Sequence, residues 1–207
     1  MNKVLSRENN VIELILPPSQ KAEVLVIGVT HGDEPQGLYL INKYLELYKD
    51  STNLMFIPCL NPDGMKNSSR VNSNGVDINR NFPTSNWKKT QKDEFWGGEF
   101  AGSEIETQFV VDVINKYLPK LILTLHAPFK IVNYDGDARV YADEISKLVN
   151  YPVQSDIGYP TPGSFGTYAG LEKKIPTITL ELDEECDVED LITPVFNVFK
   201  YFETVIL

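Results

Sequence analysis

The sequence predicts an α/β fold: a mixed, largely parallel, twisted sheet flanked by helices. Three observations lead there. Short β-branched runs alternate with helical patterns along the chain. No internal repeat or linker divides it. Its 207 residues suit one domain with a sizeable core. Residues 1–207 are therefore expected to form a single catalytic domain.

The elements follow in order. Val11 to Leu16 and Glu23 to Val29 read as strands, and Pro35 can open a helix carrying Leu38, Leu40, Ile41, Tyr44, Leu45 and Leu47. Asn53 to Cys59 is the next strand. From Asn61 to about Gly102 the chain is rich in Asn, Ser, Gly and Lys; loops this long in compact domains are often functional. Ser103 with Glu106 makes a capping-box pattern before a helix with Phe109, Val110, Val113, Ile114 and Tyr117 on its apolar side. Leu121 to Leu125 is a buried strand, Ala142 to Val149 a short helix and Ile175 to Leu182 a strand. Val188 to about Phe202 is a terminal helix whose first acidic residues suit its dipole.

Nineteen basic against 29 acidic residues leave a net charge of −10, which disfavours a broad phosphate-binding surface and so nucleic acid as a partner. No window approaches the ~20 apolar residues of a membrane span, and the first residues lack an apolar stretch of signal-peptide length. A cytoplasmic protein without membrane contact is expected. Cys59 and Cys186 lie far apart with no Cys-x-x-Cys pairing, which predicts reduced, partly buried thiols rather than a disulfide or a thiolate metal site.

The chain has two histidines, His31 and His126, each following directly on a predicted buried strand. In open α/β sheets ligands gather at the carboxyl ends of strands, so the two imidazoles can meet there. In His31-Gly-Asp-Glu34 a carboxylate follows an imidazole by three residues. Two His and one Glu are a common zinc set in hydrolases. Taken alone, the spacing is a weak signal, better explained by coincidence or a structural hydrogen bond.

Five ordered motifs decide between these readings: His31-Gly-Asp-Glu34, Asn61-Pro-Asp-Gly64, Gly75-Val-Asp-Ile-Asn-Arg-Asn-Phe82, His126, and Glu181 within Thr-Leu-Glu-Leu. Together they resemble the zinc carboxypeptidase (funnelin metallopeptidase) family. The resemblance implies one zinc per chain held by His31, Glu34 and His126, with Asp77 orienting the first histidine. It implies Glu181 as catalytic base, Arg70 at the oxyanion, and Asn79 and Arg80 on the substrate carboxylate. Tyr159 falls near the family's mobile tyrosine, though a tyrosine beside Pro160 and Pro162 can equally be a packed turn residue. Ser164 and Phe165 resemble the wall of the specificity pocket. Trp87 and Trp96 either line the cleft or anchor the long loop. A cis bond is expected at Ala127-Pro128, where digestive members carry a serine first.

Segments 70–87 and 158–168 look most like a branch of small cytosolic amidases that cut the γ-D-glutamyl–meso-diaminopimelate bond of murein peptides. A small peptide, a murein tripeptide, is thus the expected substrate, with oligomeric state open. The distal amine of diaminopimelate needs an acceptor, and Asp183 or Glu184 beside Glu181 is a candidate. The alternatives are a carboxypeptidase or N-acyl amino acid deacylase acting on other small substrates, and a non-catalytic, zinc-dependent wall-peptide binder. A mere binder has no need of Glu181 and Arg70.

Overall fold

A computed structural model describes residues 2–156 and 158–204. Its main sheet has six strands: β3 (Val24–Ile27), β4 (Met55–Ile57), β5 (Leu121–His126), β6 (Ile131–Asp135), β7 (Val153–Gln154) and β8 (Thr177–Glu181), in the order β4-β3-β5-β8-β6-β7. All neighbours run parallel except β6, which is antiparallel to β8. The sheet is therefore mixed and largely parallel, as the pattern predicts. A separate antiparallel hairpin joins β1 (Lys3–Leu5) and β2 (Val11–Glu13).

Alternation along the strands builds two cores. Val24 and Val26 of β3 face one side and Leu25 and Ile27 the other, because successive side chains of a strand point to opposite faces. The first face is covered by α1 (Gln36–Tyr48), α4 (Arg139–Val149) and α5 (Ile192–Thr204). The second is covered by α3 (Ile105–Tyr117), by β2 and by the aromatic group Phe82, Phe165 and Tyr168. Among the described residues no helix is long and apolar enough to cross a membrane.

Several elements depart from their predicted form. Pro35 stands one residue ahead of α1, and Leu47 points to solvent, off the buried face of Leu40, Ile41 and Tyr44. The Ser103 capping box does not form. Glu104 is the N-terminal boundary residue of α3, Ser103 Oγ is bonded to Glu104 and Asn81, and Glu106 turns inward toward Asn72. A 3-10 turn at Val188–Leu191, its entry fixed by Asp187 accepting from the Glu189 N–H, precedes α5. Strands β6 and β7 and a π-helical turn at Thr167–Glu172 were not predicted. Cys59 and Cys186 are free thiols, each partly buried. The Ala127–Pro128 bond is cis, as expected.

Phe199 lies fully buried on the first face, with its ring 5.0 Å from Tyr44 and 5.8 Å from Phe56. Phe199→Ala removes that ring from a packed site and is expected to cost about 3–5 kcal/mol, read from the urea midpoint at unchanged slope.

Candidate active site

The parallel trio β3, β5 and β8 brings its carboxyl ends to one edge of the sheet. His126 is the last residue of β5 rather than the first after it, and stands directly opposite Glu181, the last residue of β8. His31 and Glu34 sit on the turn between β3 and α1. That turn rests on the Asn61-Pro-Asp-Gly64 segment, which opens a short helix, α2 (Pro62–Lys66). Asn61 donates its backbone N–H to Val29, accepts the Gly64 N–H on its side chain and donates its amide to the Arg70 carbonyl. Gly32 lies so close to this support that a Cβ there would stand 2.0 Å from the Gly64 carbonyl carbon.

His31, Glu34 and His126 are all buried, and one ligand atom of each lies within 4.8 Å of the others. His31 Nδ1 is 2.7 Å from Glu34 Oε1, His126 Nδ1 is 2.9 Å from Glu34 Oε2, and the two ring nitrogens are 3.2 Å apart. On the far side of its ring, His31 Nε2 lies 3.2 Å from Asp77 Oδ1. A neutral His31 that donates Nε2–H to this carboxylate turns the Nδ1 lone pair into the group. Two imidazole nitrogens and one carboxylate, converging in a buried space, fit zinc by number and by donor type. Among the described residues this is the one group of its kind. Burial opposes a charged His31, but the carboxylates of Glu34 and Asp77 outweigh it and push its pKa up to about 9. Burial likewise opposes ionisation of Glu34, yet the two histidines hold it well below the usual carboxylate range.

The same cleft is lined by Arg70, Asn79, Arg80, Tyr159, Ser164, Phe165 and Glu181. Asp77, fully buried, accepts from Arg70 Nε and Nη2 at 3.1 and 2.8 Å and from the Asn79 N–H at 2.8 Å. Arg70 Nη1 extends to within 3.3 Å of His31 Nδ1. Asn79 Oδ1 accepts the Phe165 N–H at 2.8 Å, which leaves its Nδ2 donors without a partner among the described residues. Arg80 is buried and gives Nη1 to the Asn79 carbonyl. Ser164 is buried, and the Phe165 ring packs 5.0 Å from Phe82, as much core as wall. Tyr159 is exposed at the rim. Glu181 is buried, and its Oε2 has no hydrogen-bond partner among the described residues. Burial, with the Glu34 charge adding to it, raises its pKa above the ordinary value.

Sequence reasoning missed the wall built by β6, where Asn133 and Asp135 line the cleft. The signal was present: Ile-Val-Asn-Tyr is a β-branched and aromatic run with alternating polarity, closed by Gly136. Asp183 cannot serve as the free acceptor proposed from sequence, because Lys130 Nζ pairs with it at 2.9 Å and it does not line the cleft. Trp87 donates its indole N–H to the Gly97 carbonyl, and the buried Trp96 accepts the Asp77 N–H on its backbone. Both anchor the long loop.

Comparison with known proteins agrees with this geometry. The model of the zinc carboxypeptidase family matches residues 4–143. The chain belongs to the zinc carboxypeptidase family. Membership makes it a zinc-dependent metallopeptidase. It is 30% identical over 165 residues to murein peptide amidase A of Escherichia coli K12, covering 73% of this chain and 68% of that protein. It is 31% identical over 171 residues to murein peptide amidase A of Vibrio campbellii, covering 76% and 68%. The crystal structure of the murein-tripeptide amidase of Escherichia coli O157 superposes with a TM-score of 0.87 at 25% identity, covering 98% of this chain and 91% of that one.

In this zinc carboxypeptidase fold the turn between His31 and Glu34 depends on Gly32. Gly32→Ala forces the turn off the Gly64 backbone and is expected to cost about 1–3 kcal/mol or more in denaturant unfolding, with a lower zinc content in dialysed protein.

Proposed function

We propose that this chain is a zinc-dependent amidase that hydrolyses the γ-D-glutamyl–meso-diaminopimelate bond of murein peptides, with residues 1–207 as its single catalytic domain. The observation that carries the chemistry is the Glu181 carboxylate, buried with an Oε2 unpartnered among the described residues and directly opposite His126 in strand register. The murein substrate is supported by the likeness to murein peptide amidase A over most of the chain. A cytoplasmic role in peptidoglycan recycling belongs to the same proposal and rests on the same likeness.

In this reading His31, Glu34 and His126 hold one zinc ion, and Asp77 fixes the tautomer and ring orientation of His31. The chemistry that zinc supplies in such a set is Lewis acidity, felt by a carbonyl oxygen and by water. Glu181 takes a proton from the attacking water as its oxygen bonds to the scissile carbonyl carbon. It then delivers that proton to the amide nitrogen as the carbon–nitrogen bond breaks, which releases a carboxylic acid and a free amine. Its raised pKa brings base and acid roles closer in energy. Arg80 and Asn79 hold the terminal carboxylate of the substrate, since a guanidinium and a free amide N–H are donors suited to it. Arg70 faces the charge that develops on the carbonyl oxygen, and Asp77 keeps its fork in place. Tyr159, at the rim, closes over bound peptide, and Ser164 with Phe165 forms part of the wall.

The pure protein is expected to release free diaminopimelate from L-Ala-γ-D-Glu-meso-diaminopimelate, followed by chromatography of the liberated amine. Equal efficiency on an ordinary L-peptide ending in phenylalanine would replace the murein reading with a general carboxypeptidase. Glu181→Gln should keep its zinc and lose about 10²–10⁴-fold in kcat, while His126→Ala should lose the zinc itself, both checked by elemental analysis beside the assay. Full zinc occupancy in His126→Ala would remove that histidine from the ligand set.

A further inference from the structure

Asp135 lines the cleft and has no task in the hydrolysis. Asp135 ends strand β6, which is antiparallel to β8 with Ile131 opposite Glu181 and Asp135 opposite Thr177. Side chains two apart on a strand share a face, so Ile131, Asn133 and Asp135 of β6 line up beside Glu181, Thr179 and Thr177 of β8. Asp135 thus stands four residues along the sheet from the level of Glu181, or about 13 Å of strand.

Space is made for this side chain. A Cβ on Gly166 would lie 2.0 Å from Asp135 Oδ2, and one on Gly170 would lie 2.4 Å from Asp135 Cβ. Any larger residue at either position would push the carboxylate aside. The carboxylate that fills this space has no bonded partner among the described residues, and burial alone, with no cation or donor to offset it, pushes its pKa up to about 6. Partly desolvated charge without a partner is costly, and the cost is recovered when a cation arrives. The other acids nearby differ from it: Asp156 also lines the cleft but is exposed to water, which screens its charge, and Asp183 is held by Lys130 outside the cleft.

We infer that Asp135 is a specificity-determining residue that receives an ammonium group at the far end of the leaving amino acid's side chain. The inference rests on reading this cleft as the peptide-hydrolysing site. A side chain that reaches Asp135 must run from the scissile amide past Thr179 and Asn133, which selects a long arm with a terminal amine over a short or neutral one. Diaminopimelate carries such an amine.

The test compares substrates that differ only in that amine. One pair is γ-D-glutamyl-linked and ends in meso-diaminopimelate or in 2-aminopimelate; the other is α-linked and ends in lysine or norleucine. In whichever linkage the protein cuts, kcat/KM is expected to favour the amine-bearing member by about 10²-fold or more, and Asp135→Asn should bring that ratio below about 10. Calorimetric binding of free lysine and norleucine to the zinc-loaded protein reads the same preference without turnover. Circular dichroism and zinc content establish that the variant is folded, and Asp135→Ala stands in if it is not. A parent ratio near one, or a ratio unchanged in a folded variant, overturns the inference. An amine preference that depends on Asp135 but occurs only in the α-linked pair sustains it and overturns the murein reading instead.

Discussion

Asp77 has no contact with solvent, and the need to satisfy its charge organises the site. A carboxylate taken out of water costs several kcal/mol unless it is paired and hydrogen-bonded. Here the donors are the Arg70 guanidinium, the Asn79 backbone and the His31 ring. Burial opposes its ionisation, but His31 and the arginines outweigh that and hold its pKa well below the usual range. One charge therefore ties together the turn after β3 and both flanks of the long loop. The effect travels further, because Asn79 also accepts the Phe165 N–H and Phe82 donates its N–H to the Gly163 carbonyl. A loop without a regular sheet or long helix of its own is thereby tied to the turn after β3 and to the segment of Gly163 and Phe165.

Much of the frame was legible because the central strands are buried on both faces and spell continuous apolar runs. β3 and β5 are such runs, and His31 and His126 beyond or at their ends mark a shared site in the sequence itself. What escaped was structure whose reasons are distant in sequence. β6 pairs antiparallel with β8, so its alternating Asn133 and Asp135 face the cleft, and polar residues inside a strand weaken its apolar signal. Ser103 and Glu106 satisfy local rules for a helix start, yet their side chains meet Asn81 and Asn72 across the loop. Tertiary partners there outcompete the capping box.

The site shows the same division. Ligand types and their spacing could be read as text, and the family resemblance gave them roles. Which acids are free could not be read, since Asp183 and Asp135 differ only in what stands near them: a lysine at one, two glycines at the other. Net charge was equally uninformative at this scale, for a strongly acidic chain keeps two arginines in the lining of its cleft.

The N-terminal hairpin has a bearing on all this that its position at the molecule's margin conceals. Asp63, fully buried within the segment that supports Gly32, accepts from Ser6 Oγ, the Glu8 N–H and Asn10 Nδ2, and from Ser73 Oγ on the long loop. The hairpin is in effect a strap buckled to the back of the catalytic turn. Losing the stretch from Ser6 to Asn10 would leave that buried anion with Ser73 alone among its described donors, so the hairpin and the reaction centre share one electrostatic support.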